Sequence, residues 1–260
     1  MAPIASQDPL LVAGCILVVS LLCGELAGRL AARLEPKADE RFRSQVGAVQ
    51  GAVLGLVGLL LAFSFSMAVA RFETRRDLVL EEADAIGTTF LRADFLPEPA
   101  RTEAKALLRE YVTVRIAYYA VGEDRSAIED EIRASEALQA RIWALVAREA
   151  SGAPQSLPLS LLVTTLNEVI DLHAGRVVAH DARVPDALIV LQIALVVIGV
   201  ATIAFGFGLF RGPHRAGTLL LSILMAGILL MILDLDQPRR GFIRVSQEAM
   251  VRLQDNLDAP

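Results

Sequence analysis

"GAVLGLVGLLLAFSFSMAVARFETRRD", residues Gly51 to Asp77, decides the fold. It is apolar enough to lie in lipid, yet it carries Gly51, Gly55 and Gly58, two phenylalanines and two serines, and it ends in Arg71, Arg75 and Arg76. The 27 residues between Arg43 and Arg71 have no charge, and a helix needs roughly 20 apolar residues to cross a bilayer. Three further runs behave alike. They hold 16 residues between Asp8 and Glu25, 24 between Asp186 and Arg211, and 18 from Ala216 to Leu233. The first reaches spanning length if Glu25 and Arg29, one turn apart, pair or snorkel at the membrane edge. The pattern predicts transmembrane helices at 10–32, 46–70, 186–210 and 216–236.

Composition agrees: of 260 residues 54% are hydrophobic, and mean hydropathy is +0.51. The stretch "VAGC", Val12 to Cys15, has the form of a lipoprotein cleavage box. The residues before it contain no Lys or Arg and the apolar run continues past Cys15, so it reads as a span and not a processed signal. Cys15 and Cys23 lie eight apart on one helix and cannot bridge each other. The net charge of −5 argues against a nucleic-acid partner, which leaves a basic footprint.

Residues 71–184 differ in character. They hold 14 Lys and Arg against 19 Asp and Glu, so the whole net charge sits here. Apolar residues recur at helical spacing over 73–96, 101–121, 126–150 and 159–183, separated by "LPEP", "VGED" and "SGAPQSLP". No segment has strand periodicity. The expected fold is all-α: an integral membrane protein with transmembrane helices 1 and 2 in 1–70, an extramembrane helical domain over 71–184, helices 3 and 4 in 185–237, and an amphipathic tail over 238–260. The tail would lie on the membrane or pack on the central domain. Nothing breaks the helix between 46 and 95. It would be about 75 Å long at ~1.5 Å per residue, with Gly87 the natural place for a bend. Orientation stays open, because basic residues flank the spans on both sides.

Within the second span, Gly47, Gly51, Gly55, Gly58 and Ala62 form one strip, the spacing at which helices pack closely. Below it, Leu61, Phe65 and Val69 share one face, and Leu59, Phe63 and Met67 another. In a ring of identical subunits either face would make a hydrophobic constriction. Ser64 and Ser66 offer hydroxyls to a passing ion or bond back to their own helix. Beyond the span, Arg71, Arg75, Arg76, Glu73 and Asp77 read either as a solvated helix surface laced with ion pairs or as a charged vestibule. Asp234 and Asp236 end the last span. They read as a structural clamp neutralised by Arg239 and Arg240, or as an ion-contacting site.

His173 falls with Val169 and Ile170, as a core histidine does. "GFGLFRG", 206–212, resembles a phosphate loop but follows an apolar helix and not a strand, so it fails its context. With three histidines and no catalytic constellation or metal-ligand spacing, no enzyme, metal or cofactor is expected.

Three stretches, "GLLLAFSFSMAVARFETRRDLVLEEADAIGTTFLRADFLP", "LLREYVTVRI" and "LDLDQPRRGFIRVSQEAM", resemble in order the bacterial bestrophin-like membrane family. The resemblance implies a distant kinship with bestrophins, pentameric ion channels with four membrane helices and a cytosolic helical domain. In those the second span lines the pore with a neck of bulky apolar residues, a role that would fall on Leu59 to Val69. It also implies a bacterial plasma-membrane protein that self-associates and meets inorganic ions, with central domain and termini in the cytoplasm. Calcium-clasp and selectivity residues of bestrophins do not map onto this chain. Besides a channel, the sequence admits a membrane-anchored sensor or scaffold that uses the central bundle for a ligand or partner. A transporter subunit is a weaker reading, since no repeat or broken helix is evident.

Overall fold

The computed structural model describes residues 7–34, 39–122, 124–210, 214–237, 239 and 241–259. Lys37, Arg211, Pro238 and Arg240 lie outside them. The described residues contain helices and no strand: α1 (Pro9–Leu34), α2 (Glu40–Arg92), α3 (Ala100–Ala120), α4 (Arg125–Gly152), α5 (Leu157–Asp181), α6 (Asp186–Leu209), α7 (His214–Asp236) and α8 (Glu248–Asp258). Four apolar stretches are long enough to cross a membrane. They lie in α1, in α2, in the α5–α6 region, where α6 supplies the apolar residues, and in α7. The protein is therefore an all-α membrane protein with four spans and a helical extramembrane domain between the second and third. The chain divides into two compact units.

The first unit comprises 1–71, 183–237 and 241–243. In it α1, α6 and α7 pack together. Ser20, Gly24, Gly28 and Ala31 form the buried strip of α1. A Cβ added at Gly208 of α6 would lie 2.4 Å from the Gly28 carbonyl oxygen, and one at Gly24 would lie 2.6 Å from Thr218 Cγ2. Backbones this close leave no room for larger residues, which is how small residues join helices in lipid. Glu25 accepts hydrogen bonds from Arg29 at 2.8 Å and from Arg215 at 3.1 Å, so the charges that shorten the first apolar run are paired.

The second unit comprises 72–182, 238–240 and 244–260. Its core joins Val79, Ala83 and Ile86 of α2, Leu107, Leu108 and Tyr111 of α3, Leu138 and Ile142 of α4, Leu162 and Leu166 of α5, and Met250 and Leu257 of α8. Asp124 caps α4 by accepting from the N–H groups of Ser126 and Ala127, and Ser156 caps α5 through the N–H of Leu159. Of the two places expected for the tail, the central domain is the one found. The amphipathic tail forms α8 and buries Met250 in this core. At Gly87 α2 stays helical, and its missing side chain admits α8, since a Cβ there would meet Leu253 Cδ1 at 3.3 Å.

Candidate functional site

The surface of α2 in the first unit divides sharply. Val57, Leu61 and Ala68 are buried, and Leu54 and Val57 lie against Gly199 of α6. Gln50 Nε2 donates to the Thr202 carbonyl at 2.6 Å, and Gln192 Nε2 donates to Ser64 Oγ. Two of the residues considered for a pore therefore face the chain's own bundle. Leu61 is only 4% exposed, and Ser64 is held by Gln192. Leu59 (54%), Phe63 (61%), Phe65 (40%) and Met67 (43%) stay exposed, as does Ser66, while Val69 is half-buried.

Among the described residues the glycine strip meets no neighbouring helix of the chain. Nothing lies within 4 Å of a Cβ built at Gly47, Gly51, Gly55 or Gly58, and Ala62 is exposed. The seam that the chain itself makes is the Gly24–Gly28 strip of α1. Its signal, two glycines four apart in "GELAG", is visible in the sequence but was overshadowed by the longer strip in α2. Spacing identifies a close-packing face; it does not identify the partner.

The exposed residues of α2 along the span mix small and bulky ones: Ala48, Ala52, Gly55, Ala62 and Ser66 stand among Val49, Leu56, Leu59, Phe63, Phe65 and Met67. The free faces of the neighbouring spans are bulkier: Leu11, Val18, Leu22 and Leu26 on α1, and Leu220, Leu224, Ile228 and Met231 on α7.

The charges after the span have separate fates. Glu73, Arg76 and Asp77 are exposed. Arg75 is buried and caps a helix. Its Nε donates to the Ala179 carbonyl at 3.0 Å and its Nη2 to that of Ala182 at 2.6 Å, at the C-terminus of α5, where a cation also suits the helix dipole. Arg71 pairs with Asp236 at 3.2 Å.

Asp234 and Asp236 are each 1% exposed, and their partners differ from those expected. Asp236 accepts from the Val184 N–H at 2.9 Å as well as from Arg71. Asp234 accepts from the N–H of Phe242 and of Ile243, each at 2.9 Å. Gly241, at φ +104°, follows the turn; a Cβ there would sit 2.1 Å from Asp234 Oδ1. Arg239 instead donates to the Gly122 carbonyl. Backbone N–H groups supply most of the partners of both carboxylates.

The second unit holds a cluster that the sequence reading missed. Glu82 is fully buried. It accepts from Arg115 Nε at 2.8 Å, from Tyr111 Oη at 3.0 Å and from Arg176 Nη1. Arg176 Nη2 reaches Gln247 at 3.1 Å, and Gln139 donates to Tyr111 Oη at 3.0 Å. Burial pushes the Glu82 carboxyl up, but the two guanidinium groups outweigh it and hold the carboxyl below its ordinary value. Burial, then the Glu82 charge, raises the Tyr111 phenol. Glu82 lies three residues after Val79 and four before Ile86, on the apolar face of α2. That placement was the available signal, hidden by the acidic neighbours Glu81 and Asp84. His173 is buried as expected. Burial and the nearby Arg115 lower it to about 4, so it is neutral at pH 7.

The chain matches the bestrophin-like domain family over residues 14–250 and belongs to it. No curated protein matches it in sequence. Solved structures do match in fold. A bacterial bestrophin homologue from Klebsiella pneumoniae carrying a single substitution superposes with a TM-score of 0.68 at 15% identity, covering 93% of this chain and 96% of that one. Another structure of the Klebsiella pneumoniae homologue, phased on zinc, gives 0.64 at 16%, covering 92% and 96%. A membrane protein with a single substitution gives 0.69 at 16%, covering 93% and 97%. At these identities the likeness is one of fold.

Proposed function

We propose that copies of this chain assemble around α2 into an ion channel of bestrophin type. The observation that carries the reading is the composition of α2's free face. A face turned to acyl chains gains from leucine and isoleucine, as those of α1 and α7 do. The exposed surface of α2 places glycine, alanine and a serine hydroxyl among its bulky residues Val49, Leu56, Leu59, Phe63, Phe65 and Met67. Small residues suit close approach of a second helix, so Gly47, Gly51, Gly55, Gly58 and Ala62 seat the α2 of an adjacent copy. Leu59 and Phe63 form the constriction, flanked by Phe65 and Met67, with Ser66 as the hydroxyl beneath it. Glu73, Arg76 and Asp77 then line the mouth. The reading carries with it a pentamer in the bacterial plasma membrane, with the central helical unit and the termini in the cytoplasm.

The test is ion flux into liposomes containing the purified, folded protein. Wild type conducts, and Leu59→Ala and Phe63→Ala each raise the flux several-fold, whereas Leu61→Ala, on the packed face, does not. Flux no greater than that of empty liposomes, or a monomer by native mass measurement, defeats the proposal. The competing sensor reading expects a saturable ligand on 71–184 without conductance.

A further inference from the structure

The buried charges of the second unit do not balance. Among its described residues four buried arginines, Arg75, Arg115, Arg176 and Arg239, stand against one buried carboxylate, Glu82. An uncompensated charge in a protein interior is expensive and needs a counter-charge or dense hydrogen bonding. Arg75 has the carbonyls of α5, and Arg115 and Arg176 share Glu82. Arg239, 6% exposed, has far less. Its Nη1 donates to the Gly122 carbonyl at 2.8 Å, and its Cζ lies 4.4 Å from the centre of the Tyr118 ring. Among the described residues, its Nε and Nη2 are buried with no acceptor, and the Tyr118 hydroxyl is likewise buried without a partner.

Nε and Nη2 form the side edge of a guanidinium, the edge that takes two oxygens of one planar oxyanion in parallel hydrogen bonds. Arg239 borders a small cavity of about 30 Å³, lined also by Tyr118, His180, Arg75 and Arg176, with Leu78 and Val245 as apolar wall. The bond to Gly122 and the stacking on Tyr118 fix the fork before any ligand arrives, which lowers the ordering cost of binding.

We propose that this cavity binds a small planar oxyanion of the monocarboxylate or bicarbonate class, held by the side edge of Arg239 with the Tyr118 hydroxyl as a further donor. The site is separate from the face of α2 assigned to conduction, so neither assignment depends on the other.

Formate is the probe. Full-length protein in detergent is titrated with sodium formate or sodium chloride at constant ionic strength, and the thermal midpoint is followed. Formate produces a saturable rise, as a ligand that binds only the folded state must. Arg239→Lys keeps the charge but loses the fork, and raises the half-saturating formate concentration at least tenfold. Tyr118→Phe raises it several-fold and keeps the ring on which Arg239 stacks, so it carries the test should the Arg239 variant fail to fold. Chloride acting as well as formate, a rise that does not saturate, or folded variants indistinguishable from wild type overturns the proposal. Glu123→Gln, at the residue after Gly122, is titrated alongside. A wild type blind to formate next to a Glu123→Gln variant that binds it means that the chain's own carboxylate occupies the fork, and overturns it too.

Discussion

Glu82 in one unit and Asp234 in the other are both fully buried carboxylates, and they are held in opposite ways. Glu82 is surrounded by side chains: two guanidinium groups and a phenol. Asp234 is surrounded by backbone, the N–H groups of Phe242 and Ile243. The first arrangement joins α2, α3 and α5 through charge and leaves two arginines exposed to any change at Glu82. The second fixes the path of the chain after α7 and depends on oxygen atoms in the right place more than on charge. The same residue chemistry thus serves as a counter-ion in one place and as a turn template in the other.

Removing the charge at Glu82 is the strongest way to break the contrast. Glu82→Gln leaves Arg115 and Arg176 buried without their counter-charge, a situation that costs about 3–5 kcal/mol. For a chain of this size that is on the order of 10 °C in the thermal midpoint, measured on the full-length protein in detergent. A loss near 1 kcal/mol instead would mean that solvent already reaches the cluster, and the contrast would fail on this side. Sign also matters. The Glu82 carboxyl is held below its ordinary 4.5, so its stabilisation is present above that value and is lost only as the pH falls beneath it.

At Asp234 the geometry predicts a different ranking of variants. Gly241→Ala forces a side chain onto a backbone at φ +104° and drives its Cβ to 2.1 Å from Asp234 Oδ1. Backbone strain of this kind costs about 1–3 kcal/mol, and displacing the carboxylate adds to it, for roughly 3 kcal/mol in all. Asp234→Asn keeps one acceptor oxygen for the same amides and loses about 1–2 kcal/mol. Midpoints for the two variants give the order. If Asp234→Asn proves as damaging as Glu82→Gln, charge governs both sites and the distinction between them is void.

The same contrast shows how much the sequence could tell. The four spans were legible because an uncharged run of spanning length has few alternatives, and the central helices were legible from their spacing. His173 was legible as core for the same reason, since it falls in register with Val169 and Ile170. Partners were not. The α2 glycines announce close packing, yet among the described residues they meet no packing partner, while the shorter Gly24–Gly28 pair meets Gly208 and Thr218. Arg75, placed beside Arg76 in sequence, is buried because one helical step turns it onto α5. Asp234 was expected to meet Arg239 because they are near in sequence. It meets the backbone of Phe242 and Ile243 because the turn at Gly241 brings those amides to it.

The smallest effect comes from a titratable group of the second unit that has no hydrogen-bond partner among the described residues. Both ring nitrogens of His173 are buried without a hydrogen bond. Burial, then Arg115, lowers its pKa from 6.5 to about 4, with Arg176 acting the same way and Glu82 opposing. The folded state therefore binds fewer protons than the unfolded chain between those values. Stability is full above pH 6.5 and falls as the pH drops towards 4. One pH unit below 6.5 the loss is about 1.4 kcal/mol, well before the Glu82 carboxyl titrates. His173→Phe should keep the packing and flatten the decline between pH 7.5 and 5.5, whereas Glu82→Gln should lower stability at both pH values alike. If the His173→Phe variant declines as steeply as wild type over that range, the sensitivity belongs to another group, and His173 is a packing residue only.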